Sequence, residues 1–238
     1  MMTLSARSMA PELMDDPSIA FSEFAETLRH IERINHWTGA YRPTIQAIEY
    51  FVATRNHPKN IPLRILDIGS GHGDMLRCIA RWAQLRGQAV ELVGLDMNPW
   101  AAQAARNATP ENLPVEYITA DVLQYTPREN FHLIINALFL HHLTDATAAQ
   151  VLRWMTTHAD YGWFVNDLHR HVVAQYFIFV AVRMARLNRL VQHDAPLSVA
   201  RAFTRNDWHK LFSLAQLDAV RGCVLWHWPF RWGVRYDV

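Results

Sequence analysis

The sequence predicts a doubly wound α/β fold in which helices cover both faces of a mostly parallel sheet. Three observations predict this class. Short apolar runs alternate with segments of helical periodicity, the first run leads directly into three closely spaced glycines, and the composition is that of a globular domain, with 50% hydrophobic and 19% charged residues. At 238 residues the chain is long enough to bury a sizeable core.

Two helices are expected before the first strand. Residues 1–17 show no periodicity, so we expect a disordered lead-in without functional residues. Apolar residues then recur at helical spacing over 21–34, Thr38 and Gly39 provide a stop, and Pro43 opens a second helix. Residues 18–60 are therefore predicted to form an N-terminal helical cap.

Residues 61–238 are predicted to form the sheet with its covering helices, interrupted by a helical cap insertion at about 171–205. The predicted strands are 63–68, 90–95, 115–119, 131–136, 162–165, 219–226 and 230–236, the last two joined by a turn at Pro229. Helices are predicted over 75–85, 99–107 and 144–158.

Charge and cysteine content exclude several classes of protein. The 23 Lys and Arg residues nearly balance the 22 Asp and Glu residues, and a formal charge of +1 argues against a nucleic-acid binder that neutralises phosphates. Only Cys78 and Cys223 are present, which excludes a disulfide framework and indicates a reducing cytoplasm. There is no apolar run of signal-peptide length near the start, and the most apolar later run, 172–182, is too short to span a bilayer. We expect a cytoplasmic protein without a transmembrane segment.

The chemistry-bearing motif follows the first predicted strand. Asp67 precedes Gly69, Gly71 and Gly73, and a helix begins directly after them. Glycines let the backbone approach a ligand closely, and the start of the helix offers N–H donors. A dinucleotide fingerprint would need a glycine where Asp74 stands, and a carboxylate within the turn would repel a pyrophosphate. The motif therefore argues against NAD and ATP and suits a ligand with a cationic amino group.

This acidic-x-Gly-x-Gly-x-Gly motif resembles the first motif of class I S-adenosylmethionine-dependent methyltransferases. Acids also stand at the ends of the second and third predicted strands, and residues 136–143, Asn-Ala-Leu-Phe-Leu-His-His-Leu, are similar to small-molecule enzymes related to the quinone-biosynthesis methyltransferases. The resemblance implies a Rossmann-like, mostly parallel seven-stranded sheet with an antiparallel last strand. It implies S-adenosylmethionine as cofactor and S-adenosylhomocysteine as product. The cofactor-binding residues it implies are Asp67, Gly69, Gly71, Gly73, Asp96, Met97, Asp121, Val122 and Asn136.

The methyl acceptor is expected to lie under the two irregular segments, which carry a surplus of aromatic residues. We therefore expect O-methylation of a hydroxyl on a small apolar, aromatic, quinol-like or polyketide-like metabolite, with a histidine as base. His142 and His193 are the first choices for that base, while His141, Asp167 and His169 are further candidates. No metal is expected, because Asn166 and Asp167 alone do not make a carboxylate cluster.

Other functions stay open on the sequence alone. C-methylation of the same acceptor class would use the same base, and a protein or RNA methyltransferase or a non-catalytic cofactor-binding module are the alternatives from other classes. Arg183, Arg186 and Arg189 recur at helical spacing. They are interpreted either as a solvated face or as a docking face for an acidic carrier protein or an anionic membrane surface.

Overall fold

The computed structural model describes residues 4–16 and 18–238. Its seven strands are β1 (Leu63–Ile68), β2 (Val90–Asp96), β3 (Val115–Thr119), β4 (Phe131–Ala137), β5 (Ala159–Leu168), β6 (Gly222–His227) and β7 (Arg231–Asp237). They form one sheet in the order β3-β2-β1-β4-β5-β7-β6. Strands β1 to β5 are parallel, and β7 runs antiparallel to both of its neighbours. The predicted fold class is confirmed.

Within the described residues, eight α-helices surround the sheet. They are α1 (Phe21–Trp37), α2 (Arg42–Thr54), α3 (Asp74–Arg86), α4 (Pro99–Ala108), α5 (Asp145–His158), α6 (Val172–Met184), α7 (Arg189–Arg201) and α8 (Arg205–Leu214). Their ends follow from local chemistry: Asn98 caps α4, Thr144 caps α5, and Thr204 with Asp207 forms a capping box on α8. Three short 3-10 helices lie at Leu13–Asp15, Leu140–His142 and Ala219–Arg221.

The order of the strands positions the site. From β1 the chain moves outward through β2 to β3 and then returns to place β4 on the other side of β1. The loops after β1 and β4 therefore leave the sheet in opposite directions and open a crevice at the carboxyl ends of these strands, where doubly wound sheets bind ligands. The glycine turn, which comprises residues 69–73, lies at this crevice.

The core has two layers, one on each face of the sheet. Alternate residues of β1 point to opposite layers, so Ile65 packs with α3 while Leu66 packs with α5 and α8. Helix α2 joins the first layer through Ile48 and Phe51, each 1% exposed. The predicted N-terminal cap is therefore too broad, because α2 covers the sheet and only α1 is left to cover the crevice.

Strand β5 is much longer than its predicted span of 162–165. Polar residues Asn166 and Asp167 continue the strand, pairing with Gly233 and Trp232 of β7, and both side chains are fully buried. An apolar run stops where polar side chains begin, so it marks the core part of the strand and misses the part that enters the site.

The prediction of a disordered lead-in is wrong for residues 4–16. The Arg7 guanidinium donates to the carbonyls of Arg201 (2.7 Å), Leu143 (3.0 Å) and His141 (3.1 Å), and it also pairs with Asp145. These partners lie at least 134 residues away in sequence, so local periodicity cannot predict the contacts. Residues 1–3 and 17, which the same prediction covers, lie outside the described residues.

The prediction that three arginines share one helix face is also wrong. Helix α6 ends at Met184, Arg186 follows with a positive φ of 49°, and Arg189 is the first residue of α7. Arg189 is bound to Glu23 of α1 at 2.7 and 2.9 Å. The expected docking face for a carrier protein or membrane surface thus loses its geometric basis. Within residues 4–16 and 18–238, no helix is both long and apolar enough to cross a bilayer.

Candidate active site

A cavity of about 760 Å³ lies at the carboxyl ends of β1, β2, β4 and β5. The glycine turn and the start of α4 form one end, and the short helix Leu140–His142 forms another part of the wall. Helices α1, α6 and α7 and the residues just before α1 cover it. This volume is within the range of ligand sites in proteins.

The glycines of the turn have two different functions. Gly69, Gly71 and Gly73 all have positive φ, at 68°, 51° and 71°. A Cβ on Gly69 would lie 2.6 Å from the ring of Phe139, and one on Gly73 would lie 2.1 Å from the hydroxyl of Tyr117. At Gly71, by contrast, the nearest side-chain atom would be 3.7 Å away. Gly69 and Gly73 therefore make room for neighbours, whereas Gly71 leaves open space toward the cavity.

Asp96 holds the turn from the end of β2. One of its oxygens accepts the Gly71 N–H at 3.0 Å, and the other accepts the Asn98 N–H at 2.9 Å. Burial raises the pKa of Asp96, although both hydrogen bonds oppose the rise. Each carboxylate oxygen keeps a second lone pair, so the group can still accept bonds from a ribose diol. Met97 beside it is 74% exposed and lines the same wall.

Asp67 is a buried carboxyl group with one oxygen that lacks a hydrogen-bond partner among the described residues. It is 2% exposed, and its Oδ1 has no partner among the described residues. Burial, together with the charges of Asp74 and Asp96, raises its pKa well above the ordinary value. An unsatisfied buried carboxylate is costly unless a ligand completes it. Asp67 lines the cavity, so a ligand with a cationic amino group would fit the residues present.

Five of the nine predicted cofactor residues line the cavity, namely Asp67, Gly69, Gly71, Asp96 and Met97. The other four do not. Gly73 packs against Tyr117, and Asp121 is exposed and accepts the Leu123 N–H at 2.9 Å. Val122 lies in the core, and Asn136 is 1% exposed with its Oδ1 unpartnered. A role of these four in cofactor binding stays a prediction.

Glu32 of α1 anchors the helix to the glycine turn. Its carboxylate lies 2.5 Å from Nδ1 of His72 and 2.9 Å from the guanidinium of Arg77. The hydrogen bond with His72 is the main reason why the pKa of Glu32 is lowered to about 2, although burial acts in the opposite direction. A carboxyl whose pKa is depressed in the folded state stabilises the fold above its unfolded pKa and loses that contribution as the pH falls.

Glu32→Gln is therefore expected to lower the free energy of unfolding at pH 7 by about 1–2 kcal/mol, less than the full shift implies because the side chain is partly exposed. The difference should shrink as the pH falls below 4.5, the pKa in the unfolded chain, and be almost lost near pH 2, the pKa in the folded protein. Urea unfolding at pH 7 and at mildly acidic pH measures it, with exposed Glu26→Gln on the same helix as control. A pH-independent difference would contradict this account.

A buried His–Asp pair contributes one residue, His141, to the cavity wall. His141 Nδ1 is 2.6 Å from Asp167 Oδ1, and the side chains are 2% and 0% exposed. Asp167 also accepts the backbone N–H groups of His141 (3.1 Å) and Leu168 (2.7 Å). Burial would raise the pKa of Asp167, but the charge and hydrogen bond of His141 outweigh it, so the pKa lies below its ordinary value. An ionised Asp167 accepts a hydrogen bond from Nδ1–H of His141, so that Nε2 of His141 is the nitrogen able to accept a proton.

His142 and Glu12 extend this pair. Burial, with the nearby charges of His141 and Arg201, lowers the pKa of His142 well below its ordinary value. Glu12 accepts a hydrogen bond from Ser198 Oγ at 2.8 Å and lies 3.8 Å from Nδ1 of His142, too far for a hydrogen bond. Burial raises the pKa of Glu12.

Glu12, His141 and His142 also place ligand-type atoms within 4.8 Å of one another, a donor set that a divalent transition metal can use. The guanidinium of Arg201 lies 4.0 Å from the Glu12 carboxylate, however, and this permanent cation would compete with a metal. The expectation that no metal is needed stays a prediction.

The second predicted base is not in the cavity. The His193 side chain is half exposed on α7 and pairs with its own neighbour Asp194 at 2.8 Å. Asp194 does line the cavity, and its carboxylate accepts the N–H groups of Leu13 and Met14 at 2.8 and 2.9 Å. The prediction of His193 as a base is therefore corrected: its ring points away from the cavity, and only its neighbour Asp194 reaches the wall.

Sequence reasoning missed Glu12, Met14 and Asp15, which line the cavity from the lead-in, and Arg231, which lines it from β7. The acidic and apolar stretch from Glu12 to Asp16 was the one available signal, since such a segment is unusual in an unpacked terminus. Nothing local pointed to Arg231.

Comparisons with known proteins agree with this geometry. Residues 65–162 match a family model described as methyltransferase domain. The plantazolicin methyltransferase BpumL in complex with SAH is 14% identical, with a TM-score of 0.64 over 90% of this chain and 95% of that one. Human N-acetylserotonin methyltransferase in complex with SAM is 14% identical, with a TM-score of 0.62 over 92% of this chain and 56% of that one.

Magnesium protoporphyrin IX methyltransferase from Synechocystis PCC 6803 with bound SAH is also 14% identical, with a TM-score of 0.55 over 93% of this chain and 89% of that one. At these identities the likeness establishes the fold. A comparison with curated proteins gives no significant match.

Proposed function

We propose that the chain is a class I, S-adenosylmethionine-dependent methyltransferase that methylates a hydroxyl of a small aromatic, quinol-like or polyketide-like acceptor; the match of residues 65–162 to a methyltransferase domain and the shared fold support the class. The observation that carries this proposal is the His141–Asp167 pair. His141 lines the same cavity as Gly71 and Asp96, with Asp167 buried behind it, so a candidate base and a cofactor site share one cavity. A relation to quinone-biosynthesis enzymes stays a prediction.

The residues of the glycine turn hold and orient the cofactor. When bound, S-adenosylmethionine supplies an electrophilic methyl group on a sulfonium centre. Gly71 admits the ligand to the backbone, Asp96 offers its remaining lone pairs to the ribose, and Asp67 offers an unpartnered oxygen to the amino group. Methyl transfer is an in-line displacement, so such positioning supplies much of the catalysis.

His141 is the base in this proposal. Its Nδ1 proton is held by Asp167, so Nε2 is the nitrogen that accepts the proton of the acceptor hydroxyl. The anionic carboxylate of Asp167 then stabilises the imidazolium that forms, as in the general His–Asp arrangement. His142 remains neutral beside it, with ring centroids 4.4 Å apart, and does not add a second positive charge.

The cavity wall supports an apolar acceptor. Phe177 and Ile178 of α6, Val199 of α7, Leu168 of β5 and Phe230 before β7 all line it. Aromatic and aliphatic walls with a few placed polar groups are typical of small-molecule sites. The enclosed volume holds a cofactor with a small acceptor, and a formal charge of +1 gives an RNA no electrostatic attraction.

The fold does not choose the acceptor. The three solved structures are named for plantazolicin, N-acetylserotonin and magnesium protoporphyrin IX, three unlike molecules. C-methylation of the same acceptor class remains the alternative, because a phenolate formed at His141 also makes the ring carbon nucleophilic.

The test is transfer of a labelled methyl group from S-adenosylmethionine into phenols, quinols and acyl-carrier-linked polyketides. Each acceptor is paired with a matched compound that lacks the hydroxyl. Label should enter only the hydroxyl-bearing member of a pair. Equal labelling of both members, or labelling of amines alone, would contradict the proposal.

A further inference from the structure

Arg231 is an enclosed cation on the cavity wall. It is the first residue of β7 and is 5% exposed. Among the described residues that line the cavity, it is the only Lys or Arg, whereas six lining residues are acidic: Glu12, Asp15, Asp67, Asp74, Asp96 and Asp194. Arg231 is therefore the one permanently charged cation among the described lining residues that can bind an anionic group in this cavity.

The hydrogen bonds of the Arg231 guanidinium are few and long. It donates to Asn166 Oδ1 at 3.4 Å and to Asn35 Oδ1 at 3.3 Å, and both acceptors are neutral amides. Within the described residues no carboxylate lies within ion-pair distance of it, although the charges of Asp167 and Asp74 partly oppose the effect of burial on its pKa. A guanidinium has five N–H donors, and a buried charge without a counter-ion is costly. Burial lowers the pKa of Arg231 to about 10, so the group stays charged at neutral pH.

The neighbours of Arg231 place the guanidinium beside the glycine turn. Asn35, which accepts from Arg231, also donates to Asp74 at 3.2 Å. Asp74 is the first residue of α3, directly after Gly73. Asp67 lies at the end of β1 just before the same turn, and its Oδ1 has no partner.

A buried cation and a buried carboxyl group therefore face one cavity near the glycine turn, and within the described residues neither forms an ion pair. An ammonium group bound at Asp67 would favour the ionised carboxylate against the burial that raises its pKa. A zwitterionic amino acid carries the complementary pair of charges. Carboxylate–guanidinium hydrogen bonds are the strong, directional kind that suits such a site. A carboxylate on the methyl acceptor is the other source of the same chemistry, because Arg231 also donates to Asn166, next to Asp167. The unpartnered oxygen of Asp67 and the Asn35–Asp74 link favour the cofactor, since both lie next to the glycine turn.

We propose that Arg231 binds the carboxylate of the methionyl group of S-adenosylmethionine while Asp67 binds its ammonium group. The proposal rests on the cofactor of the proposed function and is independent of the acceptor. The strand-end arginine thus acts as a cofactor-binding residue contributed from the far end of the chain, more than 150 residues after the glycine turn.

The test compares two ligands in calorimetric titrations: S-adenosylhomocysteine and its decarboxylated analogue S-(5′-adenosyl)-3-thiopropylamine. The wild-type protein should prefer the carboxylate-bearing ligand by about 10–100-fold, the range for hydrogen bonds to a charged group. Arg231→Gln should remove that preference and leave the affinity for the analogue unchanged. Arg231→Met, which replaces a buried cation by an apolar side chain of similar length, serves if the Gln variant does not fold.

Arg235→Gln on the same strand is the control, because Arg235 pairs with Asp237 away from the cavity, and it should keep the full preference. An undiminished preference in the Arg231 variants would overturn the proposal, as would equal loss of affinity for both ligands. An unchanged preference together with a raised KM for a carboxylate-bearing acceptor would assign Arg231 to the acceptor. None of these readouts depends on which group of the acceptor is methylated.

Discussion

Replacing His141 by alanine is expected to lower kcat for a phenolic acceptor by about 10²–10⁴-fold, the range for losing a positioned general base. The affinity for S-adenosylhomocysteine should stay unchanged, because His141 lies with Asp167 and not at the glycine turn. Steady-state kinetics and calorimetric titration measure the two quantities separately.

Two histidine variants make this prediction specific. His193→Ala should keep the wild-type rate, because the side chain is half exposed and outside the cavity. His142→Ala should lose less than His141→Ala, since its nearest carboxylate, Glu12, is 3.8 Å away and does not hydrogen-bond to it. A folded His141→Ala variant with the wild-type rate would exclude His141 as the base.

Replacing Gly71 by valine is expected to abolish cofactor binding at every accessible ligand concentration. The residue has a φ of 51°, where a β-branched side chain is strained, and the added atoms would enter the open space beside the turn. Calorimetric titration with S-adenosylhomocysteine measures the loss, and circular dichroism checks that the fold persists.

Gly87→Val is the matched control for the strain. Gly87 has a similar φ of 62° at the end of α3, nothing lies within 4 Å of the position that a Cβ would take there, and it does not line the cavity. It should therefore lose stability and retain binding. Wild-type affinity in the Gly71 variant, or equal loss of affinity in both variants, would contradict the placement of the ligand at Gly71.

The cofactor side of the site could be predicted because its signals are local. Asp67 and the glycines follow one another within a few residues, and Asp96 stands at the end of the next strand. In a parallel sheet the carboxyl ends of neighbouring strands meet at one edge, so sequence order alone brings these groups together. The Gly71–Asp96 hydrogen bond is the direct expression of that rule.

His141, His142 and Asp167 were predicted as candidates on the acceptor side, but their arrangement could not be predicted, because the contacts of this side span almost the whole chain. Leu13 reaches Asp194, 181 residues away, and this contact brings Glu12 to the cavity. The sequence placed His142 ahead of His141 as the candidate base, whereas the 2.6 Å contact with Asp167 favours His141. The helical spacing of Arg183, Arg186 and Arg189 predicted a shared face only because the end of α6 at Met184 has no strong stop signal.

Nuclear magnetic resonance of the product formed from ¹³C-methyl-labelled S-adenosylmethionine tests the central claim most directly. The acceptor is a phenol that also has a free ortho ring position, so oxygen and carbon compete within one molecule. In the proposed function the phenolate oxygen formed at the His141–Asp167 pair is the nucleophile, so the label is expected as a methoxy carbon. A label found as an aryl methyl carbon would contradict O-methylation and assign the chain to C-methylation.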